Sequence, residues 1–414
     1  MRSGAAGARG GAAVVTVAER TPTPEQFAAI RSPNPRRTMI AHPGTGKTFA
    51  LVELIADMLE RRDREPECIT ATTFTRNAAG ELRERVIDRC GGRACGVLFG
   101  TSHSIALKIV RSRARLLGFP SRIVIYDEQD QTDILKDIIA TLKLNRCTLS
   151  GARDAIEDRR SGAPGAWEVQ ELHAAEEYEA RCRRAGAVDL GWIIPLALKV
   201  LRTDRTALAE WHRRARYLIV DEAHDTAPPE WALYQMLEPV ELAVVGDPNQ
   251  NIYRFRGTST AFLRAAAAPP AEVVFLTQSF RSTEPVVRAA NNLVSHNPEQ
   301  PPEKLRSAAG SGNVNAVRSS TFAEQATVLV GVCQHYLSLG SVGLLSRTNR
   351  DLEFQVRALR GAGVTVRELT TPRAFYALPE VRAFHAHLRA VYNPHDEVAT
   401  RLVLAHWPAA PAPR

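Results

Sequence analysis

The 414-residue sequence lacks any C-x-x-C pair; its six cysteines (Cys68, Cys90, Cys95, Cys147, Cys182 and Cys333) are scattered along it. That spacing excludes a zinc-finger framework and reads as reduced thiols in a cytoplasmic protein. It also lacks an apolar run of the length needed to cross a bilayer, so no membrane partner is expected. The opening residues, MRSGAAGARGGAAVV, contain no acid and no continuous apolar stretch of the kind found in a secretory signal. Residues 1–18 therefore read as a disordered tail, a composition that a transit peptide would share. No internal repeat is visible.

What is present is the charge and apolar balance of a globular protein, with enough length for two or three domains. There are 53 Lys and Arg residues against 45 Asp and Glu, a formal charge of +8. That excess suits a polyanionic partner without requiring one. Short β-branched runs alternate with amphipathic helical patterns, which predicts an α/β fold with a parallel sheet flanked by helices. The predicted strands are RTMIA (37–41), ECITATTF (67–74), RYLIV (216–220), ELAVV (241–245) and EVVFL (272–276). A helical stretch near 105–184 interrupts the series and reads as an inserted subdomain. Two further strands are expected at VGLLS (342–346) and VTVREL (364–369), with a helix at 350–361 between them. The end, WPAAPAPR, is not a packed element.

The most specific motif is AHPGTGKT, residues 41–48. A glycine-rich turn between strand and helix lets backbone N–H groups surround phosphates at a helix N-terminus. His42, Pro43, Gly44, Thr45 and Gly46 form the turn; Lys47 would reach the β- and γ-phosphates, and Thr48 would ligate Mg²⁺. The pattern wants Gly first, where Ala41 stands. By itself the motif says only that a nucleotide binds.

Asp221 and Glu222, in VDEAHDT (220–226), also follow an apolar strand. Alone they would read as a solvated pair capping a buried strand. With Lys47 in the same sheet they face a common crevice, since ligands collect beyond the carboxyl ends of parallel strands. Asp221 is then placed for Mg²⁺ and Glu222 for polarising the water that attacks the γ-phosphate. The stretch VVGDPNQNIYRFRG (244–257) adds Asp247, Gln250, two aromatics and two arginines after a strand. Gln250 could sense the γ-phosphate. Aromatics after a strand are usually core, but interleaving with arginine suits the stacking and backbone contacts of a single-stranded nucleic acid.

In their order along residues 20–405 these motifs resemble those of superfamily 1A helicases of the UvrD/Rep/PcrA type, not the DEAH-box RNA helicases that the letters DEAH suggest. The resemblance implies two RecA-like lobes, ATP with Mg²⁺, single-stranded or partly duplex DNA as partner, and 3′-to-5′ movement. It makes Gln26 in TPTPEQFAAI the reader of adenine, and AHPGTGKT, VDEAHDT and GDPNQNIYRFRG motifs I, II and III. TATTFTRNAAGELRERV (70–86) is similar to motif Ia, where Phe74 would stack on DNA; GTSHSIA (100–106) is similar to motif Ib, with Thr101 and His103 near the strand. Tyr253, Phe255 and Arg256 complete the expected DNA contacts. LTQSFRST (276–283) looks like motif IV, with Phe280 against the nucleotide and Arg281 as an arginine finger. The implied domains are 19–105 with 185–278 for the first lobe, 106–184 for the insertion and 279–405 for part of the second.

Several positions depart from the family pattern. Ala223 and His224 replace a usual Phe-Gln, Phe49 stands where Arg often follows the motif I threonine, Phe280 replaces Tyr, and Phe255 stands where Trp is commonest. No counterpart of the 2B subdomain or of motifs V and VI follows Arg281, so the resemblance implies one full lobe and about half of another within these residues. Two readings follow. One is an ATP-dependent helicase or translocase; the other is a truncated or split-gene ATP- and DNA-binding module, with a second chain supplying motifs V and VI. A small-molecule P-loop kinase would leave motifs Ia, III and IV unexplained.

Overall fold

The computed structural model describes residues 21–61, 64–120, 122–162, 165, 167–254, 257–297, 300–368, 375–376 and 378–406. The expected tail (1–18), Phe255, Arg256 and residues 407–414 lie outside that set. The chain divides into two compact units, one ending at Ser311 and the other beginning at Gly312.

The strands of the first unit are β1 (Arg36–Ala41), β2 (Ile69–Thr72), β3 (Leu98–Gly100), β4 (Val124–Tyr126), β5 (Ala187–Asp189), β6 (Tyr217–Val220), β7 (Glu241–Gly246), β8 (Glu272–Leu276), β9 (Gln278–Ser279) and β10 (Arg306–Ser307). Six of them form one sheet in the order β3-β2-β6-β7-β1-β8, every pair parallel. Parallel neighbours need crossovers, and the helices Lys47–Glu60 and Arg76–Cys90 supply the first two. β1 is buried at five consecutive positions instead of alternating, as expected for a strand covered on both faces.

Leu51, Leu54, Ile55 and Met58 lie at helical spacing on Lys47–Glu60 and pack in one cluster with Met39, Ile69, Ala71, Ile219 and Val245. Truncating a leucine there to alanine should cost about 2–5 kcal/mol. Because the six strands share one direction, Ala41, Thr72, Gly100, Val220, Gly246 and Leu276 end along a single edge. That edge collects the sequence motifs.

The inserted stretch contains the helices Glu128–Thr141, Leu149–Ser161 and Val169–Arg184. It also contains β4, which pairs with β5; three residues are too few to give a strand signal amid helical sequence. Asp189, at the end of β5, accepts both terminal nitrogens of Arg160 (2.8 and 3.0 Å) and the Tyr178 hydroxyl (2.8 Å), and it caps the helix Leu190–Thr203 through Trp192 N–H (3.0 Å). One buried carboxylate thus ties the insertion to the helix that leads back to the sheet.

The second unit holds the helices Phe322–Leu337, Asn349–Gly361, Pro379–Tyr392 and Glu397–His406. The strands expected at 342–346 and 364–369 do not form at 342–346 or 364–368; Leu369 lies outside the described residues. Leu345 is 93% exposed. A parallel strand needs a hydrogen-bonded neighbour, and among the described residues of this unit there is none.

Candidate active site

The turn after β1 is shaped by two glycines with positive φ, Gly44 (76°) and Gly46 (81°). A side chain would be strained at either by the backbone conformation, and crowded as well. A Cβ on Gly44 would lie 2.6 Å from Ser279 Oγ and 2.7 Å from Arg281 Cβ, and one on Gly46 would lie 2.7 Å from Gln26 Nε2. The turn delivers the chain to Lys47 at the start of a helix, where unsatisfied N–H groups favour an anion. Thr45 closes the turn by donating its N–H (3.4 Å) and Oγ1 (2.7 Å) to the His42 carbonyl.

Lys47 Nζ donates to Glu222 Oε2 at 2.6 Å. This contact joins the two motifs that the sequence separates by 175 positions. Glu222 itself sits at φ 51°, a left-handed conformation for a residue with a side chain; such strain costs on the order of 1–3 kcal/mol and is concentrated at functional sites. Asp221 accepts the Glu222 N–H at 2.9 Å and makes no salt bridge among the described residues. Burial first and the Glu222 carboxylate second push Asp221 up to about 7, against the pull of Lys47. A crowded acid short of countercharge, with a threonine hydroxyl opening the neighbouring helix, is the hard oxygen donor set that a magnesium ion takes. Asp225 is likewise raised to about 6 by burial and by Glu222.

Asp247, after β7, is fully buried and organises the neighbouring loop. It accepts Gln250 Nε2 (2.9 Å) and Asn249 N–H (3.0 Å), and its own N–H donates to His224 Nδ1 (3.1 Å). His42 Nδ1 approaches its Oδ2 at 3.6 Å. Burial alone would raise Asp247, but His42, Gln250 and Asn249 hold it below the usual carboxylate range. Burial holds His224 below the ordinary histidine value.

The remaining sequence candidates fall along the same edge. Gln26 is 3% exposed; it accepts Thr23 N–H (3.0 Å) in a capping box and donates to the Thr45 carbonyl (2.9 Å), so its amide braces the glycine-rich turn. Gln250 points its amide at Asp247. Phe280 N–H donates to the Gly44 carbonyl (2.9 Å), leaving a ring that is 50% exposed, and Arg281 follows with its backbone against the turn. Pro43 and Thr48 lie within the turn and the first helical residues.

At the β2 and β3 end, Phe74 and Tyr253 come together with ring centroids 4.8 Å apart. Thr101 caps the helix Ser102–Ser112 by accepting Ser104 N–H (3.2 Å). His103 lies 3.6 Å from Glu230 and is held low by burial, partly offset by that carboxylate. Phe255 and Arg256 lie outside the described residues. Sequence reasoning named Asp247 without its role and missed the side chain of His42, because neither periodicity nor motif spacing reports a buried polar contact between loops.

Residues 22–269 match the UvrD/REP helicase N-terminal domain, and residues 274–410 match the UvrD-like helicase C-terminal domain. The chain is 29% identical to the ATP-dependent DNA helicase UvrD1 of Mycobacterium tuberculosis, over 92% of this chain and 54% of that protein. It is 25% identical to the ATP-dependent DNA helicase PcrA of Staphylococcus epidermidis, over 92% of this chain and 55% of that one. It therefore spans about half the length of the curated relatives it matches. No helix among the described residues is long and apolar enough to cross a membrane. With an ordered set of motifs along one sheet edge and a family match over more than half its length, the chain belongs to the UvrD/REP helicase family.

Proposed function

We propose that this chain is the ATP- and DNA-binding part of a cytoplasmic UvrD-type helicase that hydrolyses ATP and moves 3′ to 5′ on single-stranded DNA. The observation that carries this reading is the 2.6 Å contact between Lys47 and Glu222. That pairing, next to Asp221, supports reading Lys47 as the phosphate-binding cation, Glu222 as the general base and Asp221 as a magnesium ligand. The relatives named as ATP-dependent DNA helicases support the substrate class.

In this mechanism the turn N–H groups and Lys47 take the phosphates, in place of the Glu222 carboxylate that Lys47 contacts in this structure. Magnesium would be held by Thr48 and Asp221, and would supply charge neutralisation at the phosphates. Glu222, released from Lys47, accepts the proton of the attacking water. Arg281 neutralises charge developing on the γ-phosphate. Gln26 and Phe280 border the nucleotide. Phe74, Tyr253, Thr101 and His103, with Phe255 and Arg256, hold the DNA strand.

A second reading, a module without autonomous unwinding, is favoured by the second unit, where apolar side chains such as Leu345 are exposed and no sheet forms among the described residues. A second chain would then supply motifs V and VI. The two readings separate on ATP hydrolysis by the purified 414-residue chain with and without single-stranded DNA, with Lys47→Ala as the blank. Strong DNA stimulation supports the motor. Binding of ATP without turnover supports the module. Turnover that ignores DNA and requires an added small-molecule acceptor would overturn both.

A further inference from the structure

The ring of His42 lies where three segments meet. It is 6% exposed, with Nδ1 3.6 Å from Asp247 Oδ2 in the loop after β7 and Nε2 3.0 Å from the Glu303 carbonyl, just before β10. The carbonyl takes a hydrogen bond from a protonated Nε2, and a carboxylate facing Nδ1 across 3.6 Å attracts a proton there as well. The surroundings therefore match the ring best when both nitrogens carry protons. The same residue's carbonyl holds Thr45, so one side chain and one backbone group together anchor the phosphate turn. Asp247 in turn holds Gln250. Across Asp247, His224 is an acceptor and brings no competing positive charge.

We propose that His42 is a positioning residue for the phosphate turn: its imidazolium, held between Asp247 and the Glu303 carbonyl, fixes the turn, and Gln250 with it, in the arrangement that receives a triphosphate. The proposal rests on the nucleotide-site reading above. The charged groups that face the ring are Asp247 and, from the helix Pro24–Arg31, Glu25. Burial alone would lower the ring, but Asp247, the Glu303 carbonyl and Glu25 outweigh it and raise it above the ordinary histidine value. The brace is therefore present at low pH and is lost as pH rises through that raised value. Linkage makes the effect reciprocal: if the charged ring favours the nucleotide, the nucleotide must favour the charged ring by the same factor.

The test is an NMR titration of the His42 ring in the magnesium-free full chain, with the resonance assigned by its loss in His42→Gln. The ring should titrate above about 6.5, the ordinary histidine value. Asp247→Asn should lower it, and saturating ATP should raise it further. Calorimetric ATP affinities of wild type and His42→Gln are compared as a ratio, in which titration of the phosphates themselves cancels. The variant should bind about five- to tenfold more weakly at pH 6, with the ratio approaching one by about pH 9.

A ring titrating at or below the ordinary value, or a ratio that does not change with pH, would overturn the proposal and leave His42 as packing. Should Asp247→Asn not fold, the ATP-induced shift and the affinity ratio decide without it. Lys47→Ala separates the two levels. Undiminished ATP binding in that variant sinks the nucleotide reading and the proposal with it, whereas a flat His42 ratio beside an intact Lys47 effect sinks only the role of His42.

Discussion

The two ends of the sheet's carboxyl edge are built differently. At the β1 and β6 end, charged groups are already engaged with one another: Lys47 with Glu222, and His42 with Asp247. At the β2 and β3 end, the rings of Phe74 and Tyr253 meet at a tilt of 32° and are only partly buried. In the proposed mechanism a phosphate exchanges with Glu222 at Lys47, while the His42 contact with Asp247 is kept. A nucleic acid at the second end would add to a partly buried aromatic surface. Substitutions should therefore change chemistry at one end and affinity alone at the other.

The largest expected effect breaks the charged end. Glu222→Gln should lower ATP turnover by about 10²–10⁴-fold, the range for loss of a general base. Because glutamine competes less for Lys47, the same variant should bind ATP as tightly as wild type or more tightly. Steady-state turnover beside calorimetry separates the two effects, and weakened binding with normal turnover would remove Glu222 from the base role.

Next in size, Arg281→Ala should reduce DNA-stimulated turnover by roughly 10³-fold, the lower end for an arginine finger. Single-turnover hydrolysis measures it. Unchanged hydrolysis would mean that the contact of its backbone with the turn is the whole of its role.

The smallest effect sharpens the other end. Phe74→Ala should weaken single-strand binding by about 1–3 kcal/mol, as for stacking platforms, with ATP affinity in the absence of DNA unchanged. Fluorescence anisotropy of a labelled oligonucleotide reads it. A loss of ATP affinity instead would show that the two ends are not separable, and no loss of either would return Phe74 to a packing role.

Much of the charged end was legible in the sequence. A glycine-rich turn followed by Lys47 is a local pattern with one strong physical explanation, and the carboxylates after an apolar strand take their meaning from it. The strands β6 and β7 were legible as nearly continuous apolar runs, as parallel strands inside a sheet are. β4 and β5 were not, being three residues each. The segment 342–346 has the pattern of a strand and no partner to pair with, so pattern alone misled.

Gln26 shows the limit within the site itself. The resemblance gives it the reading of adenine; the structure adds that its amide braces the turn and closes a helix cap. Sequence position placed the residue; the direction of its side chain was a matter of packing.

By itself, then, the sequence determined the α/β class, the glycine-rich turn after β1, the acidic pair and the order of motifs along the chain. These depend on backbone preferences and residue types within a few positions of one another. Only the tertiary structure decided which side chains meet across that order: Lys47 with Glu222, Phe74 with Tyr253, and His42 with Asp247 and residue 303. Such contacts join positions separated by 175 to 261 residues. They form because parallel strands bring their carboxyl ends to one edge, and no local pattern records which loops will meet there.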